Sequence, residues 1–380
     1  MQSCLAEGRV GSLDVFFSTR PRCGIMQVGR DRVHGAETGV GRMGSPEPRE
    51  RWRFSTGHGG MSRPAVSDGV VHVSSGPKLY ALDALTGQQR WSFVTGHDRI
   101  SPRAPVVAGS VVHFGSDDAT GSVYALDALT GRQLWKAATG APVSARAAVT
   151  DGVVHIGDGN GLRALDATTG EQRWELTGGE VLGCPTVADG VVYAHVGGER
   201  DNRGLHAVDA ATGERRWRFT TGHEWNEASA PAVSGETVFL SSGSSLYAVG
   251  ARDGRRLWEY RTGHYATASP AVADGLVYCG SWDHHLYAVD AVTGEPRWRV
   301  RADGAVASSA AVADGLVHFG SWDHHLYSVD AATGAPHGKF AAGDRVGSPT
   351  VVDGTVYVGT LKGHLHALRS LATGPGDAVN

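Results

Sequence analysis

One pattern, Ala-x-Asp-x-x-Thr-Gly-x-x-x-Trp, recurs down this chain at a fixed spacing, and a single ordinary core cannot be built from it. It reads "ALDALTGQQRW" (Ala81 to Trp91), "ALDALTGRQLW" (Ala125 to Trp135) and "ALDATTGEQRW" (Ala164 to Trp174). It continues as "AVDAATGERRW" (Ala207 to Trp217) and "AVDAVTGEPRW" (Ala288 to Trp298). A degraded copy, "AVGARDGRRLW", spans Ala248 to Trp258, and "SVDAATGAPHG" (Ser328 to Gly338) has lost its tryptophan. The tryptophans 91, 135, 174, 217, 258 and 298 stand 39 to 44 residues apart, which is the period of a repeat array.

Each period carries the same strand signals. A short apolar run such as "SPAVA" (Ser269 to Ala273) meets the Asp274-Gly275 turn, and the alternating run "LVYCGS" follows. A loop then leads to "LYAVD", and the Thr-Gly turn returns the chain to the tryptophan. Asp-Gly between apolar runs marks a hairpin, and four short strands in about 40 residues is one propeller blade. The 54 glycines agree with so many turns. Counting blades gives eight. The last ends at "LHALRSLATG" (Leu365 to Gly374) with no tryptophan after it, while Trp52 in "RWRFSTG" stands orphaned at the other end. The expectation is an all-β, eight-bladed propeller of four-stranded antiparallel blades. The strand around Trp52 completes the last blade and leaves no open sheet edge. Trp52, Trp91, Trp135, Trp174, Trp217, Trp258 and Trp298 are its structural wedges, each indole burying about 150–250 Å² between neighbouring sheets.

The motif is identified as the tryptophan-docking motif of the pyrroloquinoline-quinone-type, or quinoprotein-like, β-propellers, and the resemblance runs from about residue 50 to 375. "GSWD" also resembles the WD repeat, but there the tryptophan sits where this chain has the alanine of "YAVD". The resemblance implies several lives. Quinoprotein dehydrogenases hold the quinone and a calcium ion in the axial funnel and use an aspartate base. This chain has no adjacent cysteine pair and no matching acidic trio. Non-catalytic relatives include a propeller lipoprotein of outer-membrane assembly and the sensor domains of bacterial kinases, which bind proteins or small ligands.

Outside the repeats the chain is plain. Residues 1–47 are Gly/Arg-rich without strand alternation and read as a disordered leader, with Met43 as a second candidate start. The propeller is expected over 48–375 and a tail over 376–380. No basic-then-apolar start, lipobox or span-length apolar run is present, so a cytoplasmic monomer is expected. Cys4, Cys23, Cys184 and Cys279 form no disulfide or CxxC pattern. A net charge of −4 without a basic run argues against nucleic acid.

In a blade the connections alternate between two faces. The Asp-Gly and Thr-Gly turns fall on one, and the more varied loops after "TG" and "GS" fall on the other. Function is expected on the varied face. His58, His97, His223 and His264 follow "TG", and His284, His285, His324, His325 and His364 lie in the second loop. These are either turn and strand residues copied with their blades, or ligand and acid/base groups. Candidates for catalysis are His223, His264, His284, His324 and Glu227, and for a divalent metal His264, His284 and His324. Before the innermost strand stand Arg63, Arg103 and Arg146 in three consecutive blades, then Cys184, Ala230, Ser269, Ser309 and Ser348. Three adjacent guanidinium groups call for an anion or for acidic neighbours, with Glu224 and Glu227 as candidates. Arg63, Arg103, Arg146, His58 and His97 are therefore the expected ligand-binding set.

Two readings stay open. One is a propeller that binds a small anionic molecule or a protein at this His/Arg-rich mouth. The other is a stand-alone enzyme, a lyase, cyclase or isomerase, using the same funnel with or without a metal. A pyrroloquinoline-quinone dehydrogenase is third, because no strict motif for quinone or metal is present.

Overall fold

The computed structural model describes residues 37–38, 49–95, 103–197, 203–221 and 229–370. The chain divides into two units, residues 1–34 and 35–380, and the fold below is that of the second. Eight blades run in order, with innermost strands Ala65–Ser67, Val106–Ala108, Ala148–Thr150, Thr186–Ala188, Ala232–Ser234, Ala271–Ala273, Ala311–Ala313 and Thr350–Val352. Each strand pairs antiparallel with the next one outward. The innermost strands neighbour one another all the way round, the eighth lying beside the first. No helix among the described residues is long and apolar enough to cross a membrane.

Ring closure is as expected. The strand Glu50–Ser55 pairs antiparallel with His364–Arg369, setting Trp52 opposite Ala367, and becomes the outermost strand of blade eight. Of the leader, only Glu37 and Thr38 are described. They form a short strand parallel to Pro296–Arg301 at the outer edge of blade six.

The repeat motif works across blades rather than within one. Every wedge indole Nε1 donates to the backbone carbonyl of an alanine in the following blade, Trp52 to Ala84, Trp91 to Ala128 and so on to Trp298 and Ala331, over 2.9 to 3.1 Å. The Thr-Gly glycine of the following blade lies flat under that indole. A Cβ on Gly87 would come within 2.6 Å of the Trp52 ring, and the six equivalent glycines are as tight. Their φ values of 69° to 78° also favour glycine. The alanine that opens each motif sits opposite its own tryptophan, as Ala81 does to Trp91. The motif aspartate fixes the turn, Asp83 Oδ1 accepting the Leu85 and Thr86 amides.

A second donor reaches the same alanine carbonyls. In blades one to three it is a histidine: His72, His113 and His155 Nε2 donate to Ala128, Ala167 and Ala210. In blades four, six and eight it is Tyr193, Tyr278 or Tyr357. The three imidazoles are fully buried, and each leaves Nδ1 without a partner. Burial lowers all three pKa values, His72 to about 4. An unfolded histidine titrates near 6.5. The stabilisation is therefore complete above about pH 6.5 and is lost as pH falls toward 4, because only the unfolded chain takes up these protons. We expect the urea midpoint to fall steeply between pH 7 and 4.5, with His72→Tyr/His113→Tyr/His155→Tyr flattening that dependence. An unchanged slope in the triple variant would remove these histidines from the account.

Candidate functional site

The two faces separate as the connections require. On one, the motif turn joins the Asp-Gly turn, Ala84 N donating to Gly69 O and Ala291 N to Gly275 O. On the other, the loop entering a blade joins that blade's second loop. Trp282 N donates to Tyr265 O, Trp322 N to Ala305 O and Leu361 N to Arg345 O. The innermost strands begin at this second face, so the residues just before them ring the channel mouth.

That ring has two halves. In blades five to eight it is a chain of hydroxyls. Ala230 N donates to Ser269 Oγ, Ser269 N to Ser309 Oγ and Ser309 N to Ser348 Oγ, over 2.9 to 3.1 Å. Each serine oxygen accepts from its neighbour's amide, so its own proton is left to donate elsewhere. In blades one to four the positions are Arg63, Arg103, Arg146 and Cys184. Arg103 is tied down, Nε donating to Val143 O at 2.9 Å and Nη2 lying 3.5 Å from Asp117. Arg63 has a long contact, Nε to Thr350 Oγ1 at 3.4 Å. Arg146 Nε is buried without a partner. Burial lowers the pKa of both Arg63 and Arg146; the charge of Arg146 lowers that of Arg63 further, and Cys184 opposes the shift at both. Neither guanidinium is paired with a carboxylate among the described residues. Counted over the described residues, the half-ring is a donor-rich mouth with more cationic than anionic side chains.

The histidines are spread rather than gathered. His285 and His325 close their own loops, Nδ1 meeting the backbone oxygens of Asp283 and Asp323 at 2.9 and 2.8 Å. Asp283 Oδ2 accepts from Tyr287 and from Gly263 N, both at 2.7 Å, so this carboxylate is a turn fastener. His284 and His324 adopt φ values of 74° and 75°, in the turn position that Gly121 and Gly363 fill in other blades. A left-handed histidine carries backbone strain of roughly 1–2 kcal/mol, and it occurs twice. His58 packs against Gly76. His364 Nδ1 meets Ser55 Oγ at 2.8 Å on the closing strand. His97, His223, Glu224 and Glu227 lie outside the described residues. No group of three His, Cys, Asp or Glu among the described residues is placed to hold a metal. The candidate metal ligands His264, His284 and His324 form no such group. His264 and His284 sit on the two loops of blade six and His324 on the second loop of blade seven, and His264 lies against Trp282.

That tryptophan belongs to a cluster the sequence reading passed over. His264 lies parallel to Trp282, Trp282 lies 5.0 Å from Trp322, and the Arg345 guanidinium sits 4.6 Å over Trp322. Both tryptophans are half-buried. The mouth thus has an aromatic side over blades six to eight and a guanidinium side over blades one to three. The doubling of "GSWD" at a one-blade spacing was the available signal.

Three comparisons bear on this architecture. The profile of the family described as outer membrane protein assembly factor BamB matches residues 37–135, 119–269 and 243–375. The serine/threonine-protein kinase AfsK of Streptomyces griseus is 39% identical over 173 residues, 43% of this chain and 20% of that protein, so the match spans about a fifth of the kinase's length. Among solved structures, the quinohemoprotein alcohol dehydrogenase of Comamonas testosteroni superposes with a TM-score of 0.73 at 16% identity, covering 88% of this chain and 78% of its own. BamB from Moraxella catarrhalis superposes with a TM-score of 0.68 at 16% identity, covering 85% and 99%. Likeness at this identity is likeness of fold.

Proposed function

Because the chain belongs to the family described as outer membrane protein assembly factor BamB, a PQQ-type β-propeller, we propose that it is a binding propeller whose channel mouth takes a small anionic molecule. One observation carries the reading: Arg63 and Arg146 are half-buried at the mouth, close enough for one charge to act on the other, and among the described residues no carboxylate is paired with either. An anion accepting from both would relieve that repulsion and satisfy the unpartnered Arg146 Nε. The free hydroxyl protons of Ser269, Ser309 and Ser348 add donors from the far side. The quinone-and-calcium chemistry of the dehydrogenase relatives is not carried over, because no trio of metal-binding side chains faces the mouth among the described residues. A protein partner at the same face is the second reading, supported by the half-buried Trp282–Trp322 pair and its Arg345 cap.

The test uses citrate and inorganic phosphate as probes. Isothermal titration should give a saturable signal with at least one of them, lost in Arg63→Gln/Arg146→Gln. In anion-poor buffer Arg146→Met should melt higher than the parent, gaining about 1 kcal/mol or less by removal of a half-buried charge whose Nε has no partner. Saturating anion at about 100 times Kd should then stabilise the parent by about 2.7 kcal/mol and the variant hardly at all. A parent protein whose melting is indifferent to both anions contradicts the reading.

A further inference from the structure

In four blades the motif aspartate holds the arginine that stands directly before the wedge tryptophan. Arg90, Arg173, Arg216 and Arg297 each place Nη2 2.7 Å from Oδ2 of Asp83, Asp166, Asp209 and Asp290 in their own blades. In blade five both members are gone together, with Gly250 and Leu257 in their places. In blade seven His337 stands where the arginine would be, and its charge acts on Asp330. Blade two breaks the pairing on one side only. Its motif aspartate is Asp127, and the residue before Trp135 is Leu134. Asp127 Oδ1 accepts from the Thr130 amide and hydroxyl at 2.8 and 2.7 Å, while Oδ2 is bonded to no cation among the described residues. The exposed Arg132 acts on Asp127 only through its field.

Where the long arginine is missing, a recess of about 370 Å³ lies between blades two and three, on the face opposite the channel mouth. Val111, Leu134 and Val149 give it apolar walls. Asp127 stands opposite Val111 across the strand pair, so its carboxylate is on the sheet face that lines the recess. Asp151, in the Asp-Gly turn of blade three, adds a second, exposed carboxylate with no cation bonded to it among the described residues. The hydroxyls of Thr150 and Thr168 complete the polar rim. His113 also lines the recess and is only 1% exposed. Its Nε2 donates to Ala167 O at 3.3 Å, and its Nδ1 has no partner. With the proton on Nε2, Nδ1 is an acceptor.

We propose that this recess binds a small apolar molecule ending in an amidinium or guanidinium group, the kind of cation that four other blades supply from their own arginine. Its volume lies within the range of small-molecule sites, at the lower end. The planar cation matches a carboxylate with paired N–H donors, and two carboxylates without a bonded cation stand at the rim. The apolar body of the ligand covers Leu134, and a ligand N–H would satisfy the buried His113 Nδ1. None of these residues belongs to the channel mouth, so the site is independent of the anion site proposed there.

The experiment titrates the full chain with benzamidine, and with benzamide as its neutral counterpart of the same shape, followed by calorimetry and ligand-observed NMR at low salt. Benzamidine is expected to bind saturably with Kd below about 1 mM, and benzamide about tenfold more weakly. Leu134→Arg restores the pair found in blades one, three, four and six, so it should abolish binding of both probes while melting no lower than the parent. Asp127→Asn/Asp151→Asn keeps the turn acceptors and the apolar walls. It should weaken benzamidine about tenfold, the sum of two partly exposed ion pairs, and leave benzamide unchanged. Arg63→Gln/Arg146→Gln should alter neither. Absence of saturable benzamidine binding, benzamide binding as tight as benzamidine, or a preference for benzamidine that survives the double asparagine variant each overturns the proposal. So does binding that survives Leu134→Arg, or a Leu134→Arg protein that melts lower than the parent, since the recess would then not be the place of a missing arginine.

Discussion

A chain shortened to begin at Thr56 is expected to lose its cooperative melting transition. The missing segment is the whole outermost strand of blade eight, Glu50–Ser55. With it go the ladder to His364–Arg369 and the Trp52 indole, which donates to Ala84 O and covers Gly87 in the turn between the third and fourth strands of blade one. The contact at 2.6 Å between exposed Glu50 and buried His366 of the same blade is lost as well. Losing a buried tryptophan alone costs about 3–5 kcal/mol, and an exposed three-stranded edge adds to it. A domain is usually stable by only about 5–15 kcal/mol in all. Circular dichroism melting and size exclusion should show a loosened, associating species. A truncated chain within about 1 kcal/mol of the parent would mean that the ring does not depend on closure.

Trp174→Ala is expected to cost about 3–5 kcal/mol in urea unfolding, although the blade it leaves is otherwise intact. The indole is 8% exposed, holds Ala210 O at 2.9 Å and lies on Gly213 in blade four. Nothing nearby is free to refill the slot, since Val192, Ala194 and Val208 are already packed around it. Trp282→Ala makes the comparison pointed. That tryptophan lies half-buried at the mouth and wedges no blade, so its removal should cost about 1 kcal/mol or less. Equal costs for the two would deny that position in the repeat, rather than residue type, decides the energy. The boundary between blades seven and eight already lacks a wedge, with Gly338 standing opposite Ser328. There His318 turns to Ser328 at 2.8 Å, and Phe340 packs edge-on against His366. This boundary rests on aliphatic contacts among Leu326, Val346, Val356 and Leu368.

The histidines show where sequence reasoning stops. Those in loops drew attention because they vary between blades, yet His285 and His325 only close turns. The buried His72, His113 and His155 were not singled out, although Tyr takes the same register position in blades four, six and eight. In an ordinary sheet, alternation separates the core face from the solvent face. In a propeller both faces of each sheet pack on neighbouring blades, so a polar residue in the pattern gives no sign of being buried. The arginines were legible as a set because they precede the same strand in consecutive blades. That Arg103 is tied to Asp117 and, across the blade boundary, to Val143 O, while Arg146 Nε has no partner among the described residues, is decided by side-chain packing that the repeat does not spell out.

The blade count, the strand order, the closing strand and the assignment of loops to faces are all legible in the order of residues along the chain. All of these follow from local turn chemistry repeated at one period, so spacing along the chain suffices to read them. Only packing between blades shows which partner each copy meets: the glycine of one motif lies under the tryptophan of the preceding motif. Contacts between blades join residues about 40 or more positions apart, and the repeat makes those positions look alike until the sheets are set side by side.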